Sequence, residues 1–192
     1  MYSTSTPSTN SSYAGEEHEH QGELEGIDTL DQYLTFILAG EEYGLDVLCV
    51  QEIRGWDNAT MIPNAADHIK GVINLRGTIV PIIDMRRVFG LKNVEYTPLT
   101  VVIVIKVETK NGSRVMGIVV DEVSDVVSIP KGEVKPPPDL GSNMKTEYIR
   151  GLVTVNNKLA ILLEINRLIS LEDLPESELL HQTLKQLTEV RH

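Results

Sequence analysis

Cysteine, aromatic residues, long apolar runs and N-terminal positive charge are all scarce in this chain. The single cysteine, Cys49, allows no intramolecular disulfide and no multi-cysteine metal site. It lies among strand-like apolar residues, where an inert thiol is expected rather than a nucleophile. Two Phe and one Trp leave the cores to be built from aliphatic side chains. No apolar run reaches about 18 residues, so no membrane span is expected. The N-terminus lacks the basic region and apolar core of a secretory signal, and the chain reads as cytoplasmic. Residues 1–32 contain seven acids and no Lys or Arg, which supplies −7 of the net charge of −11 and leaves about −4 for the rest. Such a chain is a poor nucleic-acid ligand, because phosphate binding needs clustered cations.

What the chain does have is an internal repeat. Ile69-Lys70-Gly71-Val72-Ile73 recurs as Ile149-Arg150-Gly151-Leu152-Val153, an offset of 80 that continues through Ile82/Leu162, Asp84/Glu164 and Arg87/Arg167. Upstream, Tyr43-Gly44-Leu45 with Val50 and Ile53 recurs as Met116-Gly117-Ile118 with Val123 and Val126, an offset of 73. The same unit used twice, with no catalytic cluster in either copy, points first to a scaffold.

Each copy reads as about five strands followed by a helical turn. In the first copy the strands are Tyr33–Leu38, Glu42–Val47, Val50–Arg54, Ile69–Leu75 and Thr78–Ile83. A turn is expected at Gly40-Glu41 and another at Arg76-Gly77, where Gly tolerates positive φ. Asp84 is placed to cap a short helix, Met85–Phe89, that ends at Gly90. In the second copy, Leu99–Val107 is almost uniformly β-branched, as a strand buried on both faces would be. Arg114–Asp121, Val123–Ile129, Tyr148–Val155 and Lys158–Leu163 follow, the last two joined at Asn156-Asn157. Five short strands close into a small barrel and so remove exposed edges. A unit of some 65 residues is marginally stable alone, so the two barrels should share an apolar interface with a groove at the seam.

The expected architecture is therefore mainly β, with two five-stranded barrels packed together, short helices and a C-terminal helix. Residues 1–32 form a disordered acidic tail, too poor in large apolar groups to offset ordering entropy. A first barrel covers about 33–97 and a second about 98–171, with exchange of strands between them allowed. Residues 172–192 are expected to form an amphipathic helix, with Leu180, Leu184 and Leu187 on one stripe that suits packing against the barrels better than it suits a docking element.

The run Gly71-Val72-Ile73-Asn74-Leu75-Arg76-Gly77-Thr78-Ile79-Val80-Pro81-Ile82-Ile83-Asp84 resembles the signature of CheW-type chemotaxis coupling proteins. Glu42–Val47 and Val50–Gly55 resemble that family's early strands, and Gly117–Val126 its middle. The resemblance covers roughly Tyr33 to Leu171. It implies SH3-like barrels and a non-enzymatic adaptor without cofactor. Such an adaptor bridges chemoreceptor cytoplasmic tips and the regulatory domain of the histidine kinase CheA, and is recruited to membrane-associated receptor arrays. It also implies sites. Val50, Glu52, Arg76, Thr100, Val101 and Val126 match receptor-facing positions, with Arg76 paired to Glu52. Ala59 and Lys70 match the main kinase-facing surface, and Lys135 and Leu140 a second kinase contact that closes rings.

Other functions have little to stand on in the residues. Asp84, Asp121 and Asp125 could supply a carboxylate pair, but capping and strand ends explain the first two better. No phosphate loop is present, and His68 reads as a surface loop residue. No metal site is expected; His18 and His20 belong to a solvated tail. A small-molecule-binding barrel, or a scaffold for a CheW-like pathway outside chemotaxis, is the alternative.

Overall fold

The computed structural model describes residues 30–91, 95–109, 112–138 and 146–169. The expected disordered stretch up to residue 29 and the expected C-terminal helix lie outside the described residues, as does Leu140. Ten strands are present among the described residues. In chain order they are β1 Leu30–Leu38, β2 Glu41–Asp46, β3 Val50–Gly55, β4 Ile69–Leu75, β5 Thr78–Asp84, β6 Val101–Thr109, β7 Gly112–Val120, β8 Glu122–Pro130, β9 Ile149–Val155 and β10 Lys158–Leu163. Helix α1, Met85–Val88, follows β5, and α2, Ile165–Ile169, follows β10.

The strands form two five-stranded sheets, ordered β3-β6-β7-β5-β4 and β8-β1-β2-β10-β9. Each sheet mixes the two sequence copies. The hairpin β1–β2 joins β8, β9 and β10, while the hairpin β6–β7 joins β3, β4 and β5. A cut at residue 97 therefore describes neither sheet; the strands are exchanged. The cause is local. β2 leads into β3 through one 3₁₀ turn, Val47–Cys49, and β7 into β8 through Asp121 alone. No residue in either link has the positive φ of a tight hairpin, so the chain runs on into the other sheet instead of folding back.

At three hairpins among the described residues, the chain folds back through two consecutive left-handed residues. Arg76 and Gly77 have φ of 50° and 89°, and Asn156 and Asn157 have 49° and 63°. That is the type I′ geometry that matches strand twist. The first hairpin turns at Ala39 and Gly40, with φ of 53° and 87°, one residue earlier than expected. The first strand also begins earlier than expected. Leu30, Asp31 and Gln32, assigned to the tail by composition, pair with Pro130, Ile129 and Ser128. Backbone pairing along β8 holds them, and it needs no apolar side chain.

Each sheet curls and closes through a single bridge. Thr60, beyond β3, pairs with Val72 of β4, and Lys135, beyond β8, pairs with Leu152 of β9. Glycine permits both closures. A Cβ on Gly71, whose φ is 133°, would run into the Thr60 carbonyl, and one on Gly151 would lie 2.7 Å from the Lys135 oxygen. Inside the barrels Gly44 lies opposite Leu162 and Gly117 opposite Ile82 in parallel strand pairs. There the absent side chain leaves room for the large partner.

Three apolar cores result. Val80, Ile82, Val102, Val104 and Val119 fill one barrel, and Tyr33, Ile129, Val153, Val155 and Leu162 fill the other. The largest lies between them and draws Leu34, Phe36, Leu38 and Leu45 from one sheet and Ile83, Ile103, Ile105 and Ile118 from the other. β6 is buried on both faces because Val102 and Val104 point into their barrel while Ile103 and Ile105 point into the seam. Both helices start at equivalent corners. Asp84 Oδ1 accepts from Arg86 N at 3.0 Å and Glu164 Oε1 from Asn166 N at 3.3 Å.

Candidate functional site

At the β4–β5 turn, Arg76 projects from a backbone that leaves its side chain 83% exposed, and its Nη2 donates to Glu52 Oε2 at 2.8 Å. Glu52 stands on β3, so the contact ties the tip of one hairpin to the edge strand across the barrel. In such exposure the pair contributes roughly 0–1 kcal/mol. Its main effect is to fix where the guanidinium points.

The apolar residues expected to face a receptor sort by register. Val50 and Val101 are half-buried and pack against the seam core. Val126 pairs with Leu34, a seam residue, and so lies on the same side of its sheet. Val126 is exposed. Ile53, its repeat equivalent, pairs with Ile103 and is exposed as well. Ile53 had no place among the expected site residues, although the offset of 73 relates it to Val126. Thr100 differs from the rest. Its side chain is buried, and its Oγ1 accepts from Thr97 N at 2.9 Å, which closes the turn before β6.

A second cluster occupies the other end of the same barrel. Ala59 and Lys70 line one depression of about 560 Å³, together with Trp56, Met61, Arg87 and Tyr96. Trp56 stacks on Tyr96 with ring centroids 5.1 Å apart. Tyr96 donates its hydroxyl to the buried Asp84 at 3.0 Å. His68, expected at the surface, has a buried Nε2 with no hydrogen-bond partner. Its carbonyl accepts from Asp84 N at 2.8 Å, which draws the segment inward.

Lys135 lies on the second barrel at the closure equivalent to that of Thr60, beside Val134, which packs into that barrel's core as Ala59 does into the first. The two expected kinase contacts thus occupy related positions on the two barrels. Asp121, expected only as a strand-end residue, instead receives Arg86 on both oxygens and the Ala39 N–H at 2.7 Å. That links α1 of one barrel to the first hairpin of the other. Asp84, Asp121 and Asp125 are thereby spent on caps, on ion pairs and on local backbone, Asp125 Oδ1 accepting from Val126 N.

Cys49 donates its thiol to the Asp46 carbonyl at 2.8 Å. Burial, helped by the Asp46 carboxylate, pushes the thiol up to about 12. No group of His, Cys, Asp and Glu among the described residues could hold a metal ion, and no helix among them is long and apolar enough to cross a membrane.

Two interleaved SH3-like barrels with filled interiors, whose distinctive residues lie on outer surfaces, define a scaffold class of protein. The family model for the CheW-like domain matches residues 32–173. The chain belongs to the CheW-like family and, with it, to non-enzymatic scaffold proteins. The chemotaxis protein CheW of Klebsiella aerogenes is 47% identical over 151 residues, covering 79% of this chain and 89% of that protein. That of Bacillus subtilis is 31% identical over 147 residues, covering 76% and 91%. The crystal structure of the scaffolding protein TtCheW from Thermoanaerobacter tengcongensis aligns with a TM-score of 0.64 at 28% identity, over 79% of this chain and 91% of that one.

Proposed function

We propose that this protein is a cytoplasmic chemotaxis adaptor that couples chemoreceptor tips to the regulatory domain of a CheA-type histidine kinase in membrane-associated arrays. One observation carries the reading. Lys70 and Arg76 terminate the same seven-residue strand region, β4 and its turn, so about 20 Å separates the kinase-facing and receptor-facing ends. The receptor face comprises Val50, Glu52, Arg76, Val101 and Val126, an aliphatic surface suited to the apolar anchors of a helical hairpin. Thr100, whose carbonyl accepts from Trp56 N at 2.9 Å, adjoins that face through its chain neighbour Val101. Ala59 and Lys70 form the first kinase contact, and Lys135 with Leu140 the second.

The alternative of a small-molecule barrel is disfavoured by the side chains that fill both interiors. Co-purification with a kinase regulatory domain and with a receptor cytoplasmic fragment tests the proposal. Both should be retained, singly and together. Failure to retain either would overturn it.

A further inference from the structure

Tyr96 lines the depression that holds Ala59 and Lys70, yet it belongs to the segment that joins the two sequence copies and matches no expected contact. It is a large aromatic left 39% exposed, yet it is fixed from three directions. Its hydroxyl donates to Asp84 Oδ2 at 3.0 Å. Its ring stacks on Trp56 with an interplanar angle of 28°. The Lys70 Nζ lies over the same ring at 5.2 Å from its centroid, within cation–π range. Asp84 is itself held in place: it is buried, accepts from Arg86 N at 3.0 Å and has Arg87 Nε at 3.8 Å. Burial and the adjacent Asp84 push the Tyr96 hydroxyl up, so it stays a donor at neutral pH.

We propose that Tyr96 is a positioning residue of the kinase-facing depression: the Asp84 hydrogen bond holds its ring as the wall that orients Trp56 and Lys70 toward the partner. This rests on the assignment of Ala59 and Lys70 to the kinase. Without the hydroxyl the ring keeps its apolar contacts but loses its anchor to the barrel. The Trp56 face and the Lys70 ammonium then lose a common support.

The chain has one tryptophan, so its fluorescence reports this stack alone. In Tyr96→Phe, acrylamide quenching of Trp56 should rise about twofold. Affinity for the kinase regulatory domain should fall about three- to tenfold, the scale of the net contribution of one hydrogen bond. Affinity for a receptor-tip fragment should not change. Quenching and kinase affinity both at the wild-type level would overturn the proposal, and so would increased quenching with unchanged kinase affinity. Lys70→Glu and Ala59→Arg separate the two levels of inference. If both abolish kinase binding while Tyr96→Phe does nothing, the surface stands and the positioning role falls. If both bind the kinase domain as wild type does, the surface assignment fails and the proposal with it.

Discussion

Arg76 combines a left-handed backbone with an exposed ion pair, and the two have different consequences. Reversing its charge in Arg76→Glu removes at most roughly 1 kcal/mol, equivalent to a Tm fall of about 2–4 °C in a chain of this size. Receptor-dependent kinase activation in reconstituted arrays should instead fall severely, because two acids then meet at the hairpin tip. Adding Glu52→Arg should recover part of the loss, since the side chains touch. Simple additivity of the two singles would show that the pair does not act as a unit. Cys49 gives a second test at this scale. Its thiol, pushed up to about 12 from an ordinary 9.0, stays protonated in the folded state where the unfolded chain ionises. The stability it contributes is complete below pH 9 and is lost as pH rises toward 12. At pH 8 its reaction with a thiol reagent should be on the order of 10²–10³ slower in the native protein than in urea. Similar rates would contradict the burial.

At the scale of the element, two glycines of the first barrel are unequal, Gly71 at its closure and Gly117 in its interior. Gly71 combines φ of 133° with backbone contact, so Gly71→Ala has no escape. Gly117→Ala meets only the side-chain tips of Ile82 and Val102, which can shift. Gly71→Ala should cost about 2–4 kcal/mol and Gly117→Ala about 1–3 kcal/mol, read by urea denaturation. The reverse order would show that the first barrel closes differently. Much of this level was legible in the residues. Arg76-Gly77 and Asn156-Asn157 announced their hairpins, the β-branched run announced a strand buried on both faces, and Asp84 announced a cap. The turn at Ala39 was missed because alanine rarely accepts positive φ, and a Gly-Glu pair looked the better candidate. Tyr96 was missed because its anchor, Asp84, is twelve residues away and was already explained by the helix it caps.

For the whole molecule, the exchange of hairpins was only partly legible. The repeat revealed that a unit occurs twice, but pairing partners are non-local and leave no periodic mark. Only the absence of turn residues at Val47–Cys49 and Asp121 hinted that the chain runs on. Exchange predicts that neither barrel folds alone. Residues 33–97, expressed by themselves, carry two strands of one sheet and three of the other. They should give a collapsed NMR spectrum, while the whole chain unfolds in one calorimetric transition. Two separated transitions, or a dispersed spectrum for the fragment, would contradict the shared core.

The two surfaces are the central claim, and amide chemical shifts test it most directly. The labelled protein is titrated with a kinase regulatory domain and then with a receptor-tip fragment. The account predicts that the first perturbs Ala59, Met61, Lys70 and Tyr96, that the second perturbs Val50, Glu52, Ile53 and Arg76, and that both sets persist together. Displacement of one partner by the other from a common patch would contradict it.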